Sequence, residues 1–95
     1  MSDPVVHHVL FYDYVEDALE RRAPYRNDHL ALAQQWHDDG KIVLAGALGK
    51  PPHGGMLVFL VDDPAEIEAF VAADPYVTGG IVTDHRVVPW TVVVS

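Results

Sequence analysis

Two titratable side chains stand where apolar ones are expected. Read as a helix, the stretch from His29 puts Leu32, Ala33 and Trp36 at i+3, i+4 and i+7, an apolar stripe that must turn toward a core. His29 heads that stripe and so points inward, close to the helix start. Farther on, Asp74 follows Ile67, Phe70 and Val71 at i+7, i+4 and i+3, so a carboxylate continues a second buried stripe. An imidazole, with an unperturbed pKa of about 6.5, gives or takes a proton near neutrality. A carboxylate beside it holds the ring in one orientation, which is what a general base or acid requires. His29 and Asp74 are therefore the candidate catalytic pair, with Arg26 and Tyr76 as candidate substrate-binding residues.

No nucleophile accompanies the pair. Ser2 and Ser95 are terminal, Thr78 and Thr83 lie just beyond Asp74, the chain has no cysteine, and no serine-containing nucleophile elbow is present. Acyl transfer is disfavoured. Proton abstraction from a small carbon acid, driving isomerisation or elimination, fits the residues better. Two other readings stay open at this point. An inward His bonded to an Asp also serves as a buried hydrogen-bonded staple with no chemistry of its own. A metal site drawn from His29, Asp74, His85 or Asp13 is conceivable, but nothing has the tight spacing of a motif such as H-E-x-x-H, so neither metal nor cofactor is expected. Gly46 and Gly49 do not spell a phosphate loop, and Trp36 and Trp90 read as core or interface anchors.

The elements that must position the pair emerge from pattern and punctuation. Val5 to Tyr14 is rich in β-branched and aromatic residues and reads as a strand, apolar on both parities. Residues 15–23 form a loop or short helical turn. Pro24 suits a first helical position, and the helix runs to about Asp39, where Gly40 is a left-handed stop. Lys41 to Gly49 is a second strand, the Pro and Gly residues from Pro51 to Gly55 mark a hairpin loop, and Met56 to Val61 is a third strand. Asp62 or Asp63 caps a helix over 65–73, which Asp74-Pro75-Tyr76 breaks. Residues 84–94 form the last strand, with Pro89 pointing to an edge or bulge position.

The order β-α-β-β-α-β consists of two right-handed halves whose interleaved strands stand 4-1-3-2, an α+β ferredoxin-like sandwich with both helices on one face. This topology brings the start of the first helix and the end of the second to one end of the sheet. His29 and Asp74 become neighbours there, with Asp13, Tyr14, Tyr76, His85 and the His53 loop. His7, His8 and His37 are assigned to the opposite end. Strands that are apolar on both faces, with helices on only one, leave a second face to cover, and a second copy of the chain is the simplest cover. A homodimer is expected.

The 95 residues make one domain over 1–95. A formal charge of −8 and only six Lys and Arg residues argue against nucleic acid and against an anionic membrane surface. Arg21, Arg22 and Arg26 make one local basic spot able to attract a small anion, although solvated helix-flanking charge is the plainer reading for most of them. No apolar run approaches the roughly 20 residues that span a bilayer. Met1-Ser2-Asp3-Pro4 lacks the basic start of a signal peptide, so a soluble cytoplasmic protein is expected.

Four motifs then carry a family resemblance: Arg26-x-x-His29-Leu30, the run from Gly40 to Gly46 (Gly-Lys-Ile-Val-Leu-Ala-Gly), Phe70-Val71-x-x-Asp74-Pro75-Tyr76, and Val87-x-Pro89-Trp90. Together they resemble the YCII-related (YciI-like) domain over essentially the whole chain. The resemblance implies a dimeric ferredoxin-like α+β barrel similar to muconolactone isomerases. It also implies an active-site pair made of a first-helix histidine and the aspartate of Asp-Pro-Tyr, which fall on His29 and Asp74. The family includes a dehydrochlorinase of a chlorinated hydroquinone, compatible with base-assisted elimination, but most members have no established substrate. Two hypotheses result. One is a small dimeric enzyme of isomerase or lyase type, using the His/Asp pair on a small polar organic substrate. The alternative is a non-catalytic metabolite-binding or accessory dimer in which the pair is structural.

Overall fold

The computed structural model describes residues 5–95, so Ser2 and the reading of Met1-Ser2-Asp3-Pro4 lie outside the described residues. The chain forms β1 (Val5–Tyr14), α1 (Ala18–Arg21), α2 (Ala23–Asp38), β2 (Ile42–Leu48), β3 (Gly54–Phe59), α3 (Ala65–Ala73), α4 (Pro75–Thr78) and β4 (Val82–Val92). The strands stand in the order β2-β3-β1-β4, and every neighbouring pair is antiparallel. β1 therefore runs in the same direction as β2, and β3 as β4, without touching, which is the ferredoxin-like arrangement.

Local chemistry sets the element ends. Pro24 lies in the first turn of α2, where its missing N–H costs nothing. Gly40 ends that helix with a φ of 79°, a left-handed conformation that glycine adopts without strain. The Asp63 carboxylate accepts a hydrogen bond from the Ala65 N–H at the start of α3 (2.9 Å). Asp74 ends α3 in extended conformation and caps α4 directly, its side chain accepting from the Tyr76 N–H. The tripeptide expected only to break a helix thus also opens a new one. An Asp followed by Pro is a cap followed by a first helical residue, and that signal is present in the sequence.

The core lies on the helical face of the sheet. Register places Leu10 opposite Leu57 and Tyr12 opposite Gly55. These side chains, with Ile42 and Phe59, meet Ile67, Phe70 and Val71 of α3. Trp36 of α2 joins them edge-on to Phe59 and Phe70, at centroid distances of 6.0 and 5.3 Å. The third strand starts earlier than expected because Gly54 and Gly55 belong to the ladder. A side chain on Gly54 would collide with the Tyr12 carbonyl, so glycine there lets the strands close.

On the other face, Val9 and Val58 form the centre of a row flanked in register by Val88 and Leu44. The two central valines are buried, while Leu44 and Val88 are 61% and 41% exposed. Among the described residues no helix is long and apolar enough to cross a membrane.

Candidate active site

Asp74, fully buried, is the hub of the site. Its Oδ1 is 2.7 Å from His29 Nδ1 and accepts from the Tyr76 N–H at 3.0 Å. Its Oδ2 accepts from the Tyr12 hydroxyl at 2.8 Å. The carboxylate already accepts from the Tyr12 hydroxyl and the Tyr76 N–H, and the tautomer that completes this acceptor role carries its proton on Nδ1 and leaves Nε2 with the free lone pair. The imidazole lies flat on the Tyr76 ring, with centroids 3.7 Å apart and planes 3° from parallel. Tyr14 meets the Tyr76 ring edge-on at 5.9 Å.

Each side chain is delivered by a different element. Tyr12 and Tyr14 come from the end of β1, on the core-facing parity. His29 comes from the second turn of α2. Asp74 and Tyr76 come from the α3–α4 junction, where the cap that starts α4 is the same carboxylate that holds the histidine. Burial, Asp74's charge and the Tyr12–Asp74 hydrogen bond, in that order, push the Tyr12 phenol far above its usual range, so it stays a neutral donor. Tyr14 is pushed up to about 12, first by burial and then by Tyr76 and Asp74, against the opposing pull of Arg22 and Arg26.

The ring opens on a cleft of about 780 Å³ between α2 and the edge strand β2. Arg22, Arg26, His29, Ala33 and His37 line its helical wall at successive turns. Ala45, Ala47 and Leu57 line the sheet side, and Tyr14 and Tyr76 close one end. All four expected residues, Arg26, His29, Asp74 and Tyr76, are thus brought together, with Asp74 behind His29 instead of in the cleft wall.

The other assignments fare differently. Strand order puts His37 at the far end of the molecule, away from the site, and the structure corrects this. His37 does lie about 12 Å along α2 from His29 at 1.5 Å per residue, but the cleft runs beside the helix and His37 lines it. Its Nδ1 contacts the Ile42 carbonyl oxygen (2.8 Å). His85 faces Glu68 at 3.2 Å instead of the cleft. His53 lines a smaller hollow beside Asp17 and Leu19, and Asp13 is exposed. Among the described residues no group of three or more His, Asp and Glu is arranged to hold a metal. Tyr12 has no role in the sequence-based site. Its signal is parity: Tyr12 shares the inward face with Leu10, at the strand end nearest Asp74.

Residues 6–91 match the family model described as the YCII-related domain. Two curated relatives, each called Protein YciI, from Escherichia coli O6:H1 and Shigella flexneri, are 30% identical over 92 residues, spanning 87% of this chain and 94% of the relative. A solved structure of 5-chloro-2-hydroxyhydroquinone dehydrochlorinase from Burkholderia phenoliruptrix AC1100, in complex with 2,5-dihydroxybenzoquinone, matches with a TM-score of 0.77. It is 22% identical, and the match covers 90% of this chain and 93% of that one. At that identity the likeness is one of fold.

Proposed function

This chain belongs to the YCII-related domain family, and from that footing we propose that it is a small enzyme performing general acid–base chemistry on a small polar organic substrate. The observation that carries the reading is the oriented imidazole: Nδ1 is held by a buried carboxylate, and the ring lines an open cleft. Nε2 makes no hydrogen bond among the described residues. It takes a proton from a substrate carbon, and the electron pair left behind is delocalised as an enolate. The imidazolium then returns the proton at another carbon, completing an isomerisation, or the electron pair expels a leaving group as its anion while the imidazolium gives its proton up to water, completing an elimination. Asp74 holds the ring's orientation and offsets the charge of the imidazolium, as carboxylate partners of catalytic histidines do. Arg26 and Tyr76 hold the substrate. The dehydrochlorinase of the same fold supports the elimination branch, since loss of HCl from a ring needs the same proton transfer.

We further propose that the working form is a homodimer closed over the open sheet face. Leu44, Val88 and Trp90 on that face support this, since about half of each side chain still lies in water and covering it would gain roughly 1 kcal/mol or somewhat more apiece.

The test is a thermal-shift screen against a metabolite library, with mass spectrometry of each hit for conversion. Conversion by the unaltered chain, lost by a factor of about 10² or more in a folded His29→Asn variant, is the expected result. Binding without conversion of any hit would favour the accessory-dimer reading, and failure of His29→Asn to fold would favour the staple.

A further inference from the structure

Charge in the cleft runs against the charge of the chain. The sequence holds fourteen Asp and Glu residues against six Lys and Arg, yet among the described residues no Asp or Glu lines the cleft, while Arg22 and Arg26 both do. The other basic residues lie elsewhere: Lys41 pairs with Glu66 at 2.8 Å, Arg86 lies over the Phe11 ring at 4.6 Å, and Arg21 and Lys50 are exposed surface residues outside the cleft. Among the described residues neither Arg22 nor Arg26 has a carboxylate within salt-bridge distance. The two sit four residues apart at the start of α2, about two turns and one turn before His29, so their side chains lie on the same face as the imidazole.

A second, independent feature sits at the same end. The Tyr76 hydroxyl is buried and has no hydrogen-bond partner among the described residues, although burying an unpaired hydroxyl costs about 1–3 kcal/mol. Tyr14, the neighbour that closes this end of the cleft, stays protonated to about pH 12 and feels both guanidinium charges. Two phenol donors and two guanidinium groups without a carboxylate partner among the described residues therefore surround one end of a cleft whose sheet side is Ala45, Ala47 and Leu57.

We infer that the cleft takes a small organic anion, its carboxylate or enolate oxygen held by Arg22, Arg26 and the Tyr14 and Tyr76 hydroxyls and its apolar body lying along β2. The inference rests on the acid–base reading only for the chemistry after binding. Guanidinium and phenol groups that hold an anionic oxygen in the bound substrate also stabilise charge that develops there when His29 removes a proton. An edge-on contact between Tyr14 and Tyr76 sets the spacing of the two phenols. Gly55 keeps room for them, because a Cβ there would sit 2.8 Å from the Tyr14 hydroxyl oxygen.

The experiment is an amide NMR titration of the full chain with benzoate, 4-nitrophenolate, the neutral isostere benzamide and inorganic phosphate. Benzoate or nitrophenolate should bind roughly tenfold or more tightly than benzamide, shift the amides of α2 and β2, and weaken with added salt. Arg22→Gln combined with Arg26→Gln should remove that preference, and His29→Asn should keep it. Equal binding of benzamide and benzoate to the unaltered chain would overturn the inference, whether or not the arginine variant folds. Phosphate competing as well as benzoate would overturn the organic part of it. Anion preference in an unaltered chain that converts none of the molecules it binds would support the inference while the acid–base reading fails on its own assay.

Discussion

His29 and Tyr76 are stacked face to face, 3.7 Å between centroids and 3° from parallel, and one oxygen atom holds both. Asp74 Oδ1 accepts from the imidazole Nδ1 and from the Tyr76 backbone N–H. The imidazole is thus fixed along its edge by a hydrogen bond and across its face by a phenol ring. The phenol ring is fixed by the cap that begins α4. Any rotation of the histidine breaks both contacts together, so the free Nε2 keeps one direction relative to the cleft.

The stack and the Tyr76 hydroxyl can be separated. Tyr76→Phe keeps the ring and removes an unpaired buried hydroxyl, so thermal stability should hold or rise slightly. Tyr76→Leu loses the aromatic contact, worth about 0.5–1.5 kcal/mol beyond its area, and should lower the melting temperature by several degrees. Anion binding should weaken in both, since neither retains the phenol donor. A Tyr76→Phe variant that melts well below the unaltered chain would show that the hydroxyl has a partner after all.

Asp74 is where the fold and the site share an atom. Asp74→Ala would leave the Tyr12 hydroxyl, the Tyr76 N–H and the His29 ring without their acceptor, at a cost of about 3 kcal/mol or more. For a chain of this length that corresponds to a melting temperature lower by roughly 10 °C or more. Asp74→Asn keeps an oxygen for the His29 and Tyr76 donors and turns an amide toward the Tyr12 hydroxyl, which can also accept. It should cost about 1 kcal/mol. Calorimetry on the two variants checks the order, and equal melting of both would refute the three-donor account.

Much of this site is legible in the chain because stripes and turn residues are local signals. His29 betrays itself by sharing a face with Leu32 and Trp36, and Asp74 by continuing the stripe of Ile67, Phe70 and Val71. Their approach across 45 residues is implied by strand order alone. Tyr12 escapes because β1 is apolar on both parities, so its sharing one face with Leu10 and Tyr14 does not by itself say that this face meets the helices. α4 escapes because Asp74-Pro75 is both a stop and a start. His37 is misplaced by reasoning from the two ends of the sheet, whereas the cleft runs along a helix. Which carboxylate oxygen meets which donor depends on packing between three elements, and no local pattern encodes it.

Alkaline pH offers a test of the buried phenols. Both Tyr12 and Tyr14 ionise at higher pH in the folded chain than the usual value near 10. Below about pH 10 the phenols are protonated in both folded and unfolded chains, and the stability they contribute is fully present. Above it the unfolded chain releases protons that the folded chain retains, so stability falls by about 1.4 kcal/mol per pH unit for each tyrosine. Tyr14's share of the slope ends near pH 12, where its folded form ionises too, while Tyr12's continues beyond. Denaturant melts at a series of alkaline pH values should show this steepening, and Tyr12→Phe should remove about half of it. An unchanged slope in that variant would mean Tyr12 is not the protected phenol.

The proposed homodimer can be tested on the open sheet face. Val9 and Val58 are already buried within one protomer, so covering this face gains little from them. The gain comes from the flanking Leu44, Val88 and Trp90, whose exposed surface a partner would remove from water. A charge on this row leaves the protomer nearly intact, because Val88 and Leu44 face solvent there, but it cannot be desolvated in a closed interface without a partner. Val88→Glu and Leu44→Glu should therefore each give a folded monomer of 10.5 kDa, while the unaltered chain sediments at twice that mass. Analytical ultracentrifugation at micromolar concentration reads the difference directly. A monomeric unaltered chain would leave the sheet face without the proposed cover, and dimers persisting in both glutamate variants would move the interface to another surface.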